Sequence, residues 1–341
     1  MSRVGVLLTN YESAAHLPTA VESVLNQSFT DFTLYLTDNH SPSGEPQRIF
    51  QDYASKDERI VAPEIPKGLA GIQFVDYGWF SVGVEEHEYF ITLGGHDLWN
   101  NTAHLETLVK RMDAIPSAAL VYGPTLQINE ENKVVGVWPG GFNTHGIAPL
   151  MRPQVTVASV DSPQLFGLWR MSLRPVIRHH CCGWDHLIVT EASTRGEIMW
   201  EPNTQLCMRT QGRSGENGME SYGRVHLSKE NLERGQQDFV DQLEWLCHCV
   251  DLICEGQSPD ARAANENMLK AAIVQNYFVL RSYNLGAVPD AHRQFISNPL
   301  VQELVKGSHH AARMLAQLIK TSKPQPPEEV RGGIVLNRSQ S

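Results

Sequence analysis

Val4-Gly5-Val6-Leu7-Leu8-Thr9-Asn10-Tyr11-Glu12 changes character at Thr9. The residues before it form a short continuous apolar run, as expected of a parallel strand covered on both faces. The run is too short and lacks the small-residue cleavage pattern of a signal peptide, so it reads as a buried strand. Leu17, Val21, Val24 and Leu25 then recur at helical spacing. Phe32-Thr33-Leu34-Tyr35-Leu36-Thr37 reads as a second strand, ending at Asp38 in the turn-rich Asn39-His40-Ser41-Pro42-Ser43-Gly44. Arg59-Ile60-Val61, Tyr89-Phe90-Ile91-Thr92-Leu93 and Ala118-Ala119-Leu120-Val121-Tyr122 are further strand candidates, with helical patterns between them, notably over 103–112. Strands alternating with helices predict an α/β fold with a mostly parallel sheet. Ligands of such sheets bind beyond the carboxyl ends of the strands. Thr9 to Tyr11, Asp38 and Gly94 to Asp97 would all gather there.

The 341 residues are enough for a sizeable core and two domains. Residues 1–215 are read as the α/β domain. Residues 211–218, Gln-Gly-Arg-Ser-Gly-Glu-Asn-Gly, have linker composition. Behind them, 216–322 reads as an all-α module, with Phe239, Leu243, Leu246, Val250 and Ile253 at helical spacing and further helical patterns over 268–283 and 300–319. The proline-rich 323–341 is expected to be a mobile tail. Lys+Arg 28 against Asp+Glu 38 gives −10, which argues against a nucleic-acid partner needing a basic face. No run is long and apolar enough to span a bilayer. The six cysteines lie in the second half without the spacing of a disulfide framework. Free thiols in a reducing cytoplasm are the simpler expectation.

Several motifs together resemble family 2 of the glycosyltransferases, inverting enzymes of the GT-A fold, over roughly residues 1–210. The resemblance starts with Val4 to Glu12 and continues through Ser23-Val24-Leu25-Asn26-Gln27-Ser28-Phe29. Next comes the strand ending Thr37-Asp38-Asn39-His40-Ser41, followed by Gly94-Gly95-His96-Asp97-Leu98-Trp99 where the family places its Asp-x-Asp region. Phe166-Gly167-Leu168-Trp169-Arg170, Gly183-Trp184-Asp185 and Glu201-Pro202 through Met208-Arg209 complete the order. Order and spacing together are more specific than any single motif.

The resemblance implies a Rossmann-like sheet with flanking helices, followed here by the all-α module. It also implies transfer of a sugar from a nucleotide diphosphate donor, a UDP-sugar by preference, to a hydroxyl of a glycan, lipid-linked or protein acceptor. Thr9, Tyr11 and Asp38 would hold the nucleoside, with Asp38 accepting from a uracil-like N–H. Alone, Asp38 equally suits a helix or turn cap; at neighbouring strand ends the three point to a pocket. His96 and Asp97 would hold Mn²⁺ or Mg²⁺ against the diphosphate, with imidazole favouring Mn²⁺. Gly94 departs from the pattern, because an acid is usual at or near that position; weak metal binding or metal-independent turnover therefore stays open. Asp185 is expected to be the general base of inversion, although an acid in a first helical turn also suits the helix dipole. Glu191 is the fallback base. Arg209 is placed at the diphosphate, or else in a surface ion pair, and Trp184 at the acceptor.

His179-His180-Cys181-Cys182 lacks the loop and the second ligand pair of a zinc site. Cys247, Val250 and Cys254 share a helical face, as buried core thiols would. There is no Gln-x-x-Arg-Trp element, so single-sugar addition is expected rather than processive synthesis. The helical module would contact the acceptor or build a homo-oligomer. Two rivals remain: a degenerate non-catalytic nucleotide-sugar-binding or scaffold protein, motivated by Gly94, and a nucleotidyltransferase. The second should carry a Gly-rich basic loop after the first strand, which 9–16 lacks.

Overall fold

A computed structural model describes residues 2–69, 72–138, 141–178, 181, 183–209, 229–262 and 266. The first apolar run is strand β1 (Val4–Asn10), at the centre of a seven-stranded sheet. On one side of β1 lie β2 (Phe32–Asp38) and β3 (Ile60–Val61). On the other are β4 (Tyr89–Gly94), β9 (Leu168–Arg170), β6 (Ala118–Tyr122) and β10 (Glu197–Trp200). Only β9 runs against its neighbours, pairing antiparallel with both β4 and β6. All five strands expected from the sequence are present.

Alternation along β1 divides the core. Val4, Val6 and Leu8 join one apolar cluster and Leu7 joins the other, on opposite faces of the sheet. The first face is covered by α1 (Leu17–Leu25), α2 (Glu45–Ala54) and α4 (His104–Ala114), which contribute Val21, Phe50 and Leu108 among others. The second is covered by α3 (Ile72–Phe80), α5 (Arg152–Ser159) and α6 (Trp184–Arg195), which contribute Trp79, Val155 and Ile188. Both faces of β1 are therefore dry, which is why its sequence is a continuous apolar run.

A second, four-stranded sheet was not anticipated. Its order is β5 (Leu98–Trp99), β11 (Leu206–Arg209), β7 (Thr125–Ile128), β8 (Val134–Val137). β11 is antiparallel to β5 and parallel to β7. Strands this short hold too few side chains to establish a period of two.

Among the described residues, the expected helical module contributes α7 (Lys229–Cys254). Its Trp245, Leu246, Cys249, Val250 and Cys254 belong to the same apolar cluster as α6 and α5. The patterns over 268–283 and 300–319, the linker 211–218 and the tail 323–341 lie outside the described residues. The junction of α6 with α7 centres on Glu191, whose side chain is fully buried. Its carboxylate accepts from Arg178 Nε at 3.0 Å, Arg195 at 2.8 Å and Trp245 Nε1 at 2.6 Å. Burial pushes this carboxyl's pKa up, but Arg178 and Arg195, with Trp245, outweigh burial and hold it below its ordinary value of 4.5. A carboxylate this enclosed and this strongly ion-paired is a structural anchor, which corrects the fallback assignment of Glu191 as a base.

Removing one partner of a buried ion pair strands the others. Glu191→Ala should therefore lower unfolding stability by about 3–5 kcal/mol, read from urea denaturation. Because the folded-state pKa is depressed, the contribution of Glu191 is complete above pH 4.5 and lost as pH falls through the lower folded value. The gap between wild type and Glu191→Ala should close in acid.

Candidate functional site

Parallel register brings three strand tips to one edge. Thr9 lies opposite Thr37 on β2 and Gly94 on β4, and Asn10 lies opposite Asp38. The ladder continues into the loops: Gly95 N–H donates to Thr9 O at 2.8 Å, and Asn39 N–H to Asn10 O at 2.9 Å. Thr9, Asp38 and the Gly94–Asp97 turn are thus neighbours, as expected. Tyr11, just past β1, is 53% exposed, with its ring available to a ligand at the rim.

Asp38 is buried and accepts four hydrogen bonds. Asn10 Nδ2 (2.6 Å) and Ser41 Oγ (2.6 Å) donate to Oδ1. Ser41 N–H (2.8 Å) and Gln47 Nε2 donate to Oδ2. These occupy about four lone-pair sites, the capacity of a carboxylate. Ser41 Oγ also accepts from Glu12 N–H at 2.8 Å, so one hydroxyl joins the loops after β1 and β2. Each loop holds a non-glycine residue at positive φ, Glu12 at 54° and His40 at 55°. Such backbone strain persists only where surrounding bonds enforce it, and it clusters at functional sites. His40 Nε2 contacts Ile65 O at 2.7 Å, which ties in the loop after β3. A carbonyl only accepts, so Nε2 carries the proton.

The Gly94–Asp97 turn is held from beneath. Asp97 is 1% exposed, and its Oδ1 accepts Arg209 N–H at 2.8 Å. The Arg209 side chain is buried and donates to His96 O at 3.1 Å, to Asn129 O and to Asn132 Oδ1. Arg209 therefore braces the turn against the loop between β7 and β8; it does not make the surface ion pair considered from the sequence. At Gly94 an added Cβ would lie 2.7 Å from Asp97 Oδ2. The Asp97 carboxylate thus fills the space that an acid at 94 would enter. His96 Nε2 lies 3.6 Å from Asp97 Oδ1. Among the described residues no group of three His, Cys, Asp or Glu side chains is arranged to hold a metal. Two donors this close fit part of a divalent ion's shell, with diphosphate oxygens and water completing it. His16 adjoins the turn, 3.1 Å from Glu130. Burial, and then Arg209, lower its pKa below 6.5, so the ring is neutral at physiological pH.

Asp185 and Trp184 open α6, after Gly183 at φ 76°, a left-handed backbone for which glycine is the default residue. The helix packs on β6 and β10 and enters β10 after a single residue, Gly196. It therefore runs opposite to these strands. Since β10 is parallel to β6, and β9 is antiparallel to both β6 and β4, β10 points the same way as β1. The start of α6 lies at the same carboxyl edge. Trp184 meets Trp79 edge to face, with centroids 6.2 Å apart, and Trp79 Nε1 donates to Thr92 Oγ1 of β4 at 2.9 Å. Asp185 is 22% exposed, against 0% for Glu191 on the same helix. Its Oδ2 lies 3.9 Å from His186 Nε2.

Residues 6–152 match the family model described as glycosyl transferase family 2. This stretch, about two-fifths of the chain, is therefore similar to family 2 glycosyltransferases. The sheet that positions the site is the GT-A-like arrangement, mostly parallel with flanking helices. The chain is also similar to S. aureus TarS 1–349 in complex with UDP, at 13% identity over 83% of this chain and 92% of that one, with TM-score 0.47. For TarS 1–349 with UDP-GlcNAc the identity is 15% over the same shares, with TM-score 0.48. The mannosyltransferase PcManGT from Pyrobaculum calidifontis, in complex with GDP-Man and Mn²⁺, is 13% identical over 93% of this chain and 85% of that one, with TM-score 0.47.

The family 2 match extends across β1, β2 and β4 and stops within α5, before Asp185. Sequence reasoning missed Asn10 and Gln47 as members of the site and gave Ser41 no role beyond closing the motif that starts at Thr37. Asn10 sat inside a quoted motif, whereas Gln47, on α2, had no local signal. If Asp38 organises the site as these bonds indicate, Asp38→Ala strands four donors. It should lose about 2–4 kcal/mol of stability by thermal denaturation. A residue that merely contacted the ligand would leave the melting temperature of the unliganded protein unchanged.

Proposed function

We propose that the chain transfers a sugar, with inversion, from a nucleoside diphosphate donor to a hydroxyl acceptor. The observation that carries this reading is the in-register meeting of the β1, β2 and β4 tips at the edge where α6 begins. On it, Thr9, Tyr11 and Asp38 hold the nucleoside, the His96–Asp97 turn faces the diphosphate, and Asp185 takes the acceptor proton. Trp184 lines the acceptor side, and Arg209 acts through the turn it braces.

A UDP-sugar is the proposed donor. Uracil presents one ring N–H, which Asp38 accepts in exchange for the Gln47 amide. That amide is the one of its four donors carried by a half-buried side chain on another element. Asp185 is the proposed base because it keeps solvent access and starts the helix at the ligand edge, whereas Glu191 is sealed by arginines. As the acceptor oxygen attacks the anomeric carbon, the bond to the diphosphate breaks. The acceptor's proton passes to Asp185 and the electron pair leaves with the diphosphate. A carboxylate positioned in this way contributes typically 10²–10⁴-fold in rate. Asp185→Asn should therefore lower kcat by about 10²–10⁴ in a donor-turnover assay and leave nucleotide affinity near wild type. Unchanged turnover removes Asp185 as base. Nucleotide binding without turnover for every donor and acceptor tried favours the non-catalytic binding protein, whose motivation is Gly94.

His96 and Asp97 are the proposed metal donors, with Mn²⁺ preferred for its tolerance of imidazole. When bound, the ion would offset charge on the departing diphosphate. Two protein donors make too few bonds to hold the ion alone. Mn²⁺ by itself should leave the melting temperature unchanged, whereas Mn²⁺ with a nucleoside diphosphate should raise it above the value with nucleotide alone. Equal shifts with and without Mn²⁺ indicate metal-independent binding.

A further inference from the structure

Of the seven tryptophans, Trp79, Trp99, Trp169, Trp184, Trp200 and Trp245 are built into the two large apolar clusters or pack against them. Trp138, just after β8, joins none of the three apolar clusters among the described residues. It is half-buried, and its hold is polar. Nε1 donates to Asp161 Oδ2 at 2.7 Å, and the backbone N–H donates to Thr125 O at 2.8 Å. A bond from an N–H to a carboxylate is charge-assisted, so it fixes the ring as well as satisfying it. A large ring held by its polar edge instead of by packing suits a side chain that meets a ligand.

Both partners of Trp138 stand at the carboxyl edge. Thr125 follows Tyr122, the end of β6, after only Gly123 and Pro124. Asp161 lies between α5 and the 3₁₀ turn Ser162–Phe166, which leads through Gly167 into β9. Since β9 is antiparallel to β6, it starts where β6 ends. α5 rises to that edge from Arg152, which donates to Glu197 at the foot of β10 at 3.2 Å. α6 packs against α5 and against the 3₁₀ turn, and runs the opposite way. Asp161 therefore leaves the end of α5 beside the start of α6, where Trp184 and Asp185 stand.

We propose that Trp138 is a platform on which a sugar ring of the acceptor stacks, which makes the acceptor a carbohydrate. This rests on the transferase reading above and names the substrate class of its acceptor side. The placement argues for acceptor over donor. The β2 and β1 tips take the nucleoside and the β4 tip the diphosphate, while β6 lies two strands past β4, about 10 Å further along the edge. A pyranose presents a face of C–H bonds that is apolar and slightly positive, and the face of an indole is slightly negative. Stacking covers both faces without taking a hydrogen bond from either, and it leaves the sugar's hydroxyls at the rim, one of them for Asp185. The bond to Asp161 sets the ring plane before the sugar arrives, which lowers the cost of binding. A serine hydroxyl or a simple aliphatic alcohol has no such face to offer.

The test is saturation-transfer NMR on the full chain loaded with UDP, with the methyl glycosides of glucose, galactose, mannose and N-acetylglucosamine as probes. At least one should bind, with saturation strongest at the C–H protons of one ring face. In Trp138→Ala its affinity should fall about tenfold, the scale of one lost aromatic stack, while UDP affinity stays at the wild-type value. Trp138→Phe keeps a ring and loses the N–H, so it should hold the glycoside more tightly than Trp138→Ala. Thermal unfolding checks the fold of both variants. Equal loss in the two makes Trp138 a structural tie to Asp161 and overturns the proposal, as does unchanged glycoside binding in folded Trp138→Ala. Failure of every glycoside to bind wild-type protein that does bind UDP overturns the carbohydrate acceptor and leaves the transferase reading standing; this arm requires no variant to fold. Weaker binding of UDP-glucose or UDP-N-acetylglucosamine by Trp138→Ala, with UDP unchanged, puts the donor's sugar on the ring and also overturns it. Failure of UDP and other nucleoside diphosphates to bind removes the transferase reading, and this inference with it.

Discussion

Everything at the carboxyl edge depends on the register of β1 against β2 and β4. Side chains alternate faces along a strand, so a slip of one residue would move Asn10 away from Asp38 and swap the residues that β1 gives to the two cores. Val4 pairs with Phe32 and Thr9 with Gly94, and a slip of one residue would carry Arg3 or Thr9 into a place now held by a buried apolar side chain. Hydrophobic patterning at one end of the strand thus sets the polar geometry at the other. The same strand supplies the sheet's centre and the site's first residues.

Polar groups at that edge are buried deeply, and the chain satisfies most of them itself. Asp38 takes four hydrogen bonds, and Asp97 is held by the Arg209 backbone. Such preorganisation fixes loop positions before a ligand arrives, at the expense of local backbone strain at Glu12 and His40. The second sheet has a related purpose. β11 carries Arg209 beneath the His96–Asp97 turn and ties it to the loop after β7. Through this contact the irregular half of the fold supports the ligand edge.

The two carboxylates of α6 illustrate how environment separates roles. Glu191 faces inward, between two arginines and the indole of Trp245, and joins α6 to α7. Asp185 stands at the helix start, where solvent reaches it. In sequence both were acids on one helical pattern, and only packing distinguishes the anchor from the candidate base.

Residue order alone is enough to read the strands of the main sheet, their alternation with helices and the edge at which Thr9, Asp38 and Asp97 gather. Those features follow from local periodicity and from the rule that parallel sheets bind ligands at their carboxyl ends. The two- to four-residue strands of the second sheet escaped it, because a period cannot be established over so few residues. Tertiary structure alone decided that Arg209 is buried under the turn, that Glu191 is sealed by Arg178, and that Gln47 reaches Asp38. It alone set the Trp138 indole against Asp161. Each of these contacts joins residues on different elements, and no local pattern encodes which side chains meet once the helices and sheets have packed.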